Sequence, residues 1–190
     1  RRQRQMCIRD SRGKDGAYQA TLQGIRNCIA LGLRVSLRFT ITRDTFIQIP
    51  DIFDLVEREG IPRLCFYHLV YTGRANQLRT KDLSHSETRQ VIDLICDRTV
   101  DLHHCGLPVE VLTVDNHADG VYLYLKQKRE DTARAQKVLA LLQANGGNNS
   151  GIRIAAVDPS GNVHPDQFWN HYSFGNVRQR NFSDIWLDTS

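Results

Sequence analysis

Hydrophobic positions alternate between helical and strand spacing along the first half of the chain. Residues 16–31 place apolar side chains on one helical face, and Gly32 ends this predicted helix. In residues 33–41 apolar and polar side chains alternate at every position, which predicts a strand with one buried face. Helical spacing returns in residues 45–60, where Pro50 fits the first turn of a helix that starts near Ile49.

The same alternation continues downstream. Residues 63–70 form a largely apolar predicted strand, and a polar loop follows it in residues 71–83. Ser84 and Glu87 have the spacing of a capping box, which predicts a helix from Ser84 to about Cys105.

A third strand and a long helical stretch complete this part of the pattern. The strand covers residues 108–114, and the helical stretch reaches Ala144 with a break near Glu130. Short loops between alternating helices and strands predict parallel βαβ units and therefore an α/β fold with three parallel strands.

After residue 147 the pattern becomes typical of β-hairpins. Residues 152–157 and 162–164 read as two short strands, and the turn at 158–161 has Pro and Gly where a type I turn accepts them. Ser183 is predicted to cap a short helix that carries Ile185 and Trp186.

Composition and charge exclude several classes of protein. The net charge of +4 comes mostly from residues 1–10, since the rest of the chain holds 21 basic and 20 acidic residues; we therefore expect no nucleic-acid partner. No apolar run of 18 residues occurs, so we expect no membrane partner either. The five cysteines are odd in number and form no CxxC pair, which favours reduced thiols, a cytoplasmic location and no metal site within this chain.

The first eleven residues, RRQRQMCIRDS, lack periodicity and do not continue into the next segment. They resemble the translation of a sequencing adaptor, although a disordered basic arm would have the same composition. We therefore predict a non-native leader over residues 1–11 and an internal fragment of a longer protein from Arg12 onward.

Three spaced segments carry a family resemblance. They are HLVYTGRAN (68–76), VDNHAD (114–119) and NVHPDQFWNHYSFGNVRQRNFSDIW (162–186). The last segment resembles the start of a SPASM or twitch domain, the auxiliary-cluster domain that follows the partial barrel of many radical S-adenosylmethionine (SAM) enzymes. Together the three segments resemble the radical SAM branch of heme d1 biosynthesis.

The resemblance implies a fold and a domain division. Residues 12–147 are expected to form the C-terminal part of a partial (β/α)6 TIM-like barrel. Residues 148–190 are expected to begin a small β-hairpin SPASM or twitch domain.

The resemblance also implies an activity. The full-length enzyme would cleave SAM at a [4Fe-4S] cluster and remove propionate side chains from a siroheme-derived tetrapyrrole, with flavodoxin or ferredoxin as electron donor. The CxxxCxxC motif and the auxiliary-cluster cysteines of this family do not occur in the chain. We therefore expect the chain alone to bind no cluster and to be inactive.

The polar face of the strand at 33–41 supplies candidate SAM ligands. Arg38 matches the position from which SPASM-type enzymes contact the SAM carboxylate, and Ser36 and Thr40 share its face. Asp115 and Asn116 follow the third strand and are candidates for contacts to SAM. A surface ion pair would explain Arg38 equally well, and a turn with a helix cap would explain the Asp115–Asp119 cluster.

Candidate substrate ligands lie at or just after the C-terminal ends of the first two strands, the edge where barrel enzymes build their sites. Arg43, His68 and Arg74 are candidates for binding carboxylates, and Tyr71 for stacking on a macrocycle. A buried structural histidine and solvated loop charges are the competing interpretations.

Other functions also fit the sequence. One is a different radical SAM/SPASM enzyme, either a decarboxylase of a modified heme precursor or a peptide maturase. Another is a non-catalytic α/β binding module. A barrel that uses ordinary acid–base chemistry would need a convergent pair of catalytic side chains, and no such pair can be argued from the sequence.

Overall fold

The computed structural model describes residues 15–188 and consists of helices and strands in alternation. The helices are α1 (Ala17–Ala30), α2 (Ile49–Glu59), α3 (His85–His104), α4 (Ala118–Glu130), α5 (Thr132–Asn145) and α6 (Phe182–Trp186). The strands are β1 (Ser36–Thr40), β2 (Arg63–Tyr67), β3 (Glu110–Val114), β4 (Ala156–Val157), β5 (Asn162–His164) and β6 (Gly175–Asn176). Two 3-10 segments occupy Phe46–Gln48 and Gly73–Lys81.

The first three strands form a parallel sheet in the order β1-β2-β3. In its register Arg38 lies beside Cys65, and Cys65 lies beside Leu112. The prediction of an α/β fold with three parallel strands is confirmed. Because each strand runs the same way, the carboxyl ends of all three meet at one edge.

One face of this sheet packs against the helices. Phe66 in β2 is fully buried and contacts the rings of Phe39 and Phe53, at centroid distances of 6.0 and 5.6 Å. The opposite face carries Ser36, Arg38 and Thr40 of β1, which are all exposed. This division follows the alternation of apolar and polar residues in β1.

Local sequence determines where several helices begin and end. The capping box is confirmed: Ser84 Oγ accepts from the backbone N–H of Glu87 at 3.3 Å, and the Glu87 carboxylate accepts from the backbone N–H of Ser84 at 2.7 Å. Pro50 occupies the first turn of α2 as expected. The predicted break near Glu130 is real, because Asp131 caps α5 by accepting from the N–H of Arg134 at 2.9 Å.

Other boundaries differ from the prediction. The polar loop at 71–83 contains the 3-10 segment Gly73–Lys81, whose sequence has no apolar periodicity to reveal it. The strand expected at 152–157 is reduced to β4, because the chain turns at 151–154 and the N–H of Gly151 donates to the carbonyl of Ile154. Ser183 lies inside α6, and Asn181 is the residue that precedes its first turn.

The chain divides after Tyr122 into two compact units. This point lies within α4, whereas the sequence suggested a boundary at residue 147. The predicted division into a barrel segment over 12–147 and a second domain over 148–190 therefore stays a prediction. The second unit contains α5, α6 and a small antiparallel sheet of order β4-β5-β6. Within residues 15–188 no helix combines the length and the apolar character needed to cross a membrane.

Candidate functional site at the carboxyl edge of the parallel sheet

The chain segments that leave the three parallel strands remain joined by backbone hydrogen bonds. The N–H of Ile41 donates to the carbonyl of Tyr67 at 2.8 Å, and the N–H of His68 donates to the carbonyl of Val114 at 3.1 Å. These bonds fix the backbone of His68 beside the end of β3. Side chains from distant parts of the sequence therefore converge at this edge.

A trio of polar side chains, of which Asp119 is buried, lies where β2 and β3 end. Nε2 of His68 and Oδ2 of Asp119 are 2.8 Å apart, and the two side chains are only 11% and 8% exposed. The second carboxylate oxygen of Asp119 accepts from Nδ2 of Asn116, also at 2.8 Å. Oδ1 of Asn116 accepts from the backbone N–H of Ala118 at 3.1 Å, so both polar ends of this amide are bonded within the loop.

Asp115 precedes this trio in a strained backbone conformation. Its φ of 68° lies in the left-handed region, which Asp tolerates better than most residues. Loss of solvation raises the pKa of its carboxyl group, and the nearby His68 and His117 partly oppose that rise. Strained backbone often marks a functional loop.

Arg43 and Asp44 enter ion pairs with the segments that follow β2. The Arg43 guanidinium lies 3.7 Å from the Glu87 carboxylate, and Lys81 donates to the Asp44 carboxylate at 2.6 Å. All these side chains are at least one-third exposed, so the pairs are weak and a ligand carboxylate can compete for the cations.

Tyr71 has partners of its own. Its hydroxyl donates to Asp82, and this bond to a carboxylate raises the pKa of the phenol. Arg79 lies over the ring at 4.9 Å. One ring face is therefore covered by a guanidinium, and the predicted stacking of a macrocycle would use the other face. The side chain of Arg74 lies outside the described residues.

The open face of the sheet presents the predicted SAM ligands of β1. The Arg38 guanidinium lies 5.6 Å from the ring centre of Tyr67 on the neighbouring strand. Among the side chains that the structure describes, Arg38 forms no ion pair. The Ser36 hydroxyl lies 3.5 Å from the thiol of Cys65, and Thr40 is exposed on the same face.

Comparison with known proteins identifies the family. No protein-family model matches the chain. It is 56% identical over 179 residues to a Methanosarcina barkeri protein named Fe-coproporphyrin III synthase, covering 94% of this chain and 45% of the relative. It is 40% identical over 177 residues to the pre-heme d1 synthase of Dinoroseobacter shibae. It is 27% identical over 179 residues to an AdoMet-dependent heme synthase of Oleidesulfovibrio alaskensis. Each of these two matches covers 92% of this chain and 44% of the relative.

These relatives point to a radical SAM heme-synthesis family, to which nearly the whole chain is similar. It spans a little under half the length of these relatives. The fold agrees: the crystal structure of Streptococcus suis SuiB bound to precursor peptide SuiA superposes with a TM-score of 0.61, covering 89% of this chain and 37% of that one, at 12% identity. The resemblance to radical SAM proteins that the sequence analysis described is thus confirmed.

The described residues do not provide the iron–sulfur cluster of a radical SAM protein. Cys65 is buried beside Ser36, Cys105 is exposed at the end of α3, and Cys28 and Cys96 are half-buried in different helices. Within residues 15–188 no three His, Cys, Asp or Glu side chains converge as a metal site. The cluster therefore does not fit these residues.

Sequence reasoning left three contacts unrecognised. It named His68 and Asp119 without pairing them, and it missed Tyr67 as the neighbour of Arg38. The third is His164 in the small sheet, whose Nδ1 bonds the carbonyl of Tyr172 at 2.6 Å and whose Nε2 lies 3.3 Å from Asp158. No local pattern indicates any of these contacts, because each depends on how separate segments fold together.

The His164 contacts perturb two pKa values in the small sheet. The bond to the Tyr172 carbonyl, followed by the bond to Asp158, raises the pKa of His164. The Asn162 side chain, then its backbone N–H, lowers the pKa of Asp158 to about 2. These bonds join the hairpin turn to β5 and to the segment before β6, so they support the small sheet rather than the edge site.

Proposed function

We propose that this protein acts in a radical SAM reaction on the carboxylate side chains of an iron tetrapyrrole. The observation that carries the proposal is the 56% identity, over nearly the whole chain, to a relative named Fe-coproporphyrin III synthase. That level of identity favours a substrate or product of the coproporphyrin type. Removal of propionates from a siroheme-derived tetrapyrrole for heme d1 is the narrower alternative, and 40% identity to pre-heme d1 synthase supports it.

The proposed fold context is a partial (β/α)6 barrel over residues 12–147, followed by the start of a SPASM or twitch domain over 148–190. Such a barrel segment requires three parallel strands with helices packed on one face and an open polar face on the other, as found here. The change to a small antiparallel sheet after α5 supports the second domain.

SAM would bind on the open face of the sheet. Arg38 is proposed to pair with its carboxylate, since the guanidinium fork matches a carboxylate and this one forms no other ion pair among the described residues. Ser36 and Thr40 are proposed to line the same face, and Asp115 to contact SAM from the end of β3. Asn116 is a weaker candidate, because its amide is already bonded at both ends. Reductive cleavage of SAM supplies the radical chemistry in this family, with an electron from a flavodoxin or ferredoxin.

The tetrapyrrole would bind at the carboxyl edge. Arg43 and Arg74 are proposed to bind its carboxylates, together with His68, and Tyr71 to contact the macrocycle. Arg43 is suited to this role because its exposed pair with Glu87 is long, at 3.7 Å. We place the reaction in the cytoplasm, where thiols such as Cys105 stay reduced.

A binding titration tests this proposal. Iron coproporphyrin III is added to the purified 190-residue chain and followed by Soret absorbance, with its tetramethyl ester as a control of the same ring and metal but without carboxylates. We expect the ester to bind at least about 10-fold more weakly, since each charge-assisted hydrogen bond is worth about 1.5–3 kcal/mol. Equal binding of acid and ester, or no binding of either, would overturn the proposal.

Two further ligands separate the alternatives. A siroheme-derived tetrapyrrole that binds more tightly than iron coproporphyrin III would favour the heme d1 reaction. A 27% identical relative is named PqqA peptide cyclase, so binding of a precursor peptide in place of the tetrapyrrole would favour a peptide maturase. Failure to bind SAM as well as all three ligands would favour the non-catalytic binding module.

A further inference from the structure

The trio of His68, Asp119 and Asn116 has a fixed order of hydrogen bonds. Asp119 is buried, and each of its oxygens accepts one bond, from the His68 ring and from the Asn116 amide. Because a carboxylate has no proton to give, the ring must donate Nε2–H and the amide must donate Nδ2–H. Asn116 in turn is fixed by the N–H of Ala118 at the start of α4.

This order leaves one ring atom of His68 for a ligand. Among the described side chains Nδ1 has no hydrogen-bond partner. The His68 side chain is 11% exposed, so the ring is not fully enclosed. A histidine that donates one ring N–H to a buried carboxylate has a fixed ring orientation, and its other nitrogen is held ready for a ligand.

We propose that Asp119, held by Asn116, is a positioning residue that fixes the His68 ring so that Nδ1 binds a carboxylic side chain of the tetrapyrrole. This inference rests on the proposed function and deepens it. In the complex a proton taken from solution lies between Nδ1 and the carboxylate, and the ring carries Nε2–H toward Asp119. The other titratable groups at this place are Asp115 and His117 of the loop after β3.

A set of variants isolates the positioning role. Asp119→Ala removes the acceptor of Nε2–H. Asp119→Asn keeps an acceptor but turns its amide N–H₂ toward the N–H₂ of Asn116, which cannot accept. The double exchange Asn116→Asp with Asp119→Asn restores a donor opposite an acceptor at both contacts, so it is the rescue variant. His68→Gln identifies the signals of the ring, and circular dichroism verifies that each variant is folded.

The first readout needs no ligand. In the ¹⁵N-labelled chain we expect an exchange-protected ring Nε2–H proton that disappears in His68→Gln and in Asp119→Ala. It should weaken in Asp119→Asn and return in the double exchange. Persistence of this resonance in Asp119→Ala would overturn the assigned hydrogen bond.

The second readout is the dissociation constant for iron coproporphyrin III. We expect a loss of about 10- to 100-fold in Asp119→Ala and His68→Gln, and recovery to within about 3-fold in the double exchange, since the ring geometry is restored. If the wild-type chain binds and Asp119→Ala binds equally well, or the double exchange fails to recover, positioning by Asp119 is wrong while the proposed function stands. If the wild-type chain binds no tetrapyrrole while the ring proton behaves as expected, the proposed function fails and the ligand assigned to Nδ1 fails with it.

Discussion

Two isoleucines at the start of α2 provide a matched test of where the core of the first unit lies. Ile49 is fully buried and packs with Phe53 and Val56, whereas Ile47, two residues earlier in the 3-10 segment, is 72% exposed. Replacing each with Ala removes the same three carbon atoms. Only the surroundings of the two side chains differ. The difference between the two losses in free energy of unfolding therefore measures the contribution of burial.

The expected magnitude for Ile49→Ala follows from that burial. Removing three buried carbons costs about 2.4 kcal/mol at about 0.8 kcal/mol each, and the cavity left behind raises the range to about 2–5 kcal/mol. The better helix propensity of Ala returns about 0.4 kcal/mol. We therefore expect a loss of about 3 kcal/mol for Ile49→Ala and within about 0.5 kcal/mol for Ile47→Ala.

Urea denaturation followed by circular dichroism measures both free energies of unfolding. Because the chain has two compact units, the transition of the unit that holds the parallel sheet is assigned from ring-proton NMR signals of Phe66. In thermal melts about 3 kcal/mol corresponds to a fall in Tm of about 12 °C for a unit of this size, at about 4 °C per kcal/mol. Equal losses for the two variants, or a loss below about 1 kcal/mol for Ile49→Ala, would refute the placement of α2 on the sheet.

Three further results follow from the structure. Ser84→Ala should lower the free energy of unfolding by about 1 kcal/mol through loss of the cap of α3, measured by urea titration; no change would contradict the capping box. Because the pKa of His164 is raised in the fold, its stabilisation is complete below about pH 6.5, the usual histidine value, and is lost as pH rises through the higher folded value. The Tm difference between wild type and His164→Gln should therefore be larger at about pH 5.5 than at about pH 8.5, and a difference that grows with pH would refute this sign. Arg38→Met should weaken SAM binding at least about 10-fold by calorimetry, whereas Arg34→Met, which loses only the exposed ion pair with Glu110, should leave it unchanged.

The candidate site illustrates what a sequence pattern can anticipate. The polar face of β1 was predicted from strict alternation, and the structure leaves Ser36, Arg38 and Thr40 exposed on one face. The position of Asp115 directly after its strand also followed from the predicted strand boundary, whereas His68 was placed inside the predicted strand at 63–70 and lies just after β2. The Asn116–Asp119 bond spans three residues, so local spacing was compatible with it, but a helix cap would have the same spacing.

The contacts that give the site its chemistry were out of reach of such reasoning. His68 and Asp119 are 51 residues apart, and Arg38 meets Tyr67 only because β1 and β2 pair in one particular register. The 3-10 segment Gly73–Lys81 was predicted as a loop, since its residues are nearly all polar and form no apolar stripe.

The sequence by itself determined the order of elements, the parallel βαβ arrangement, the cap of α3 and the break between α4 and α5. These features depend on residues within a few positions of one another, so periodicity and capping chemistry suffice to specify them. The tertiary structure alone decided that His68 pairs with Asp119 and that Arg38 lies beside the ring of Tyr67. These contacts join segments that are distant along the chain, and their geometry is set by strand register and by burial against the helices, which no local pattern encodes.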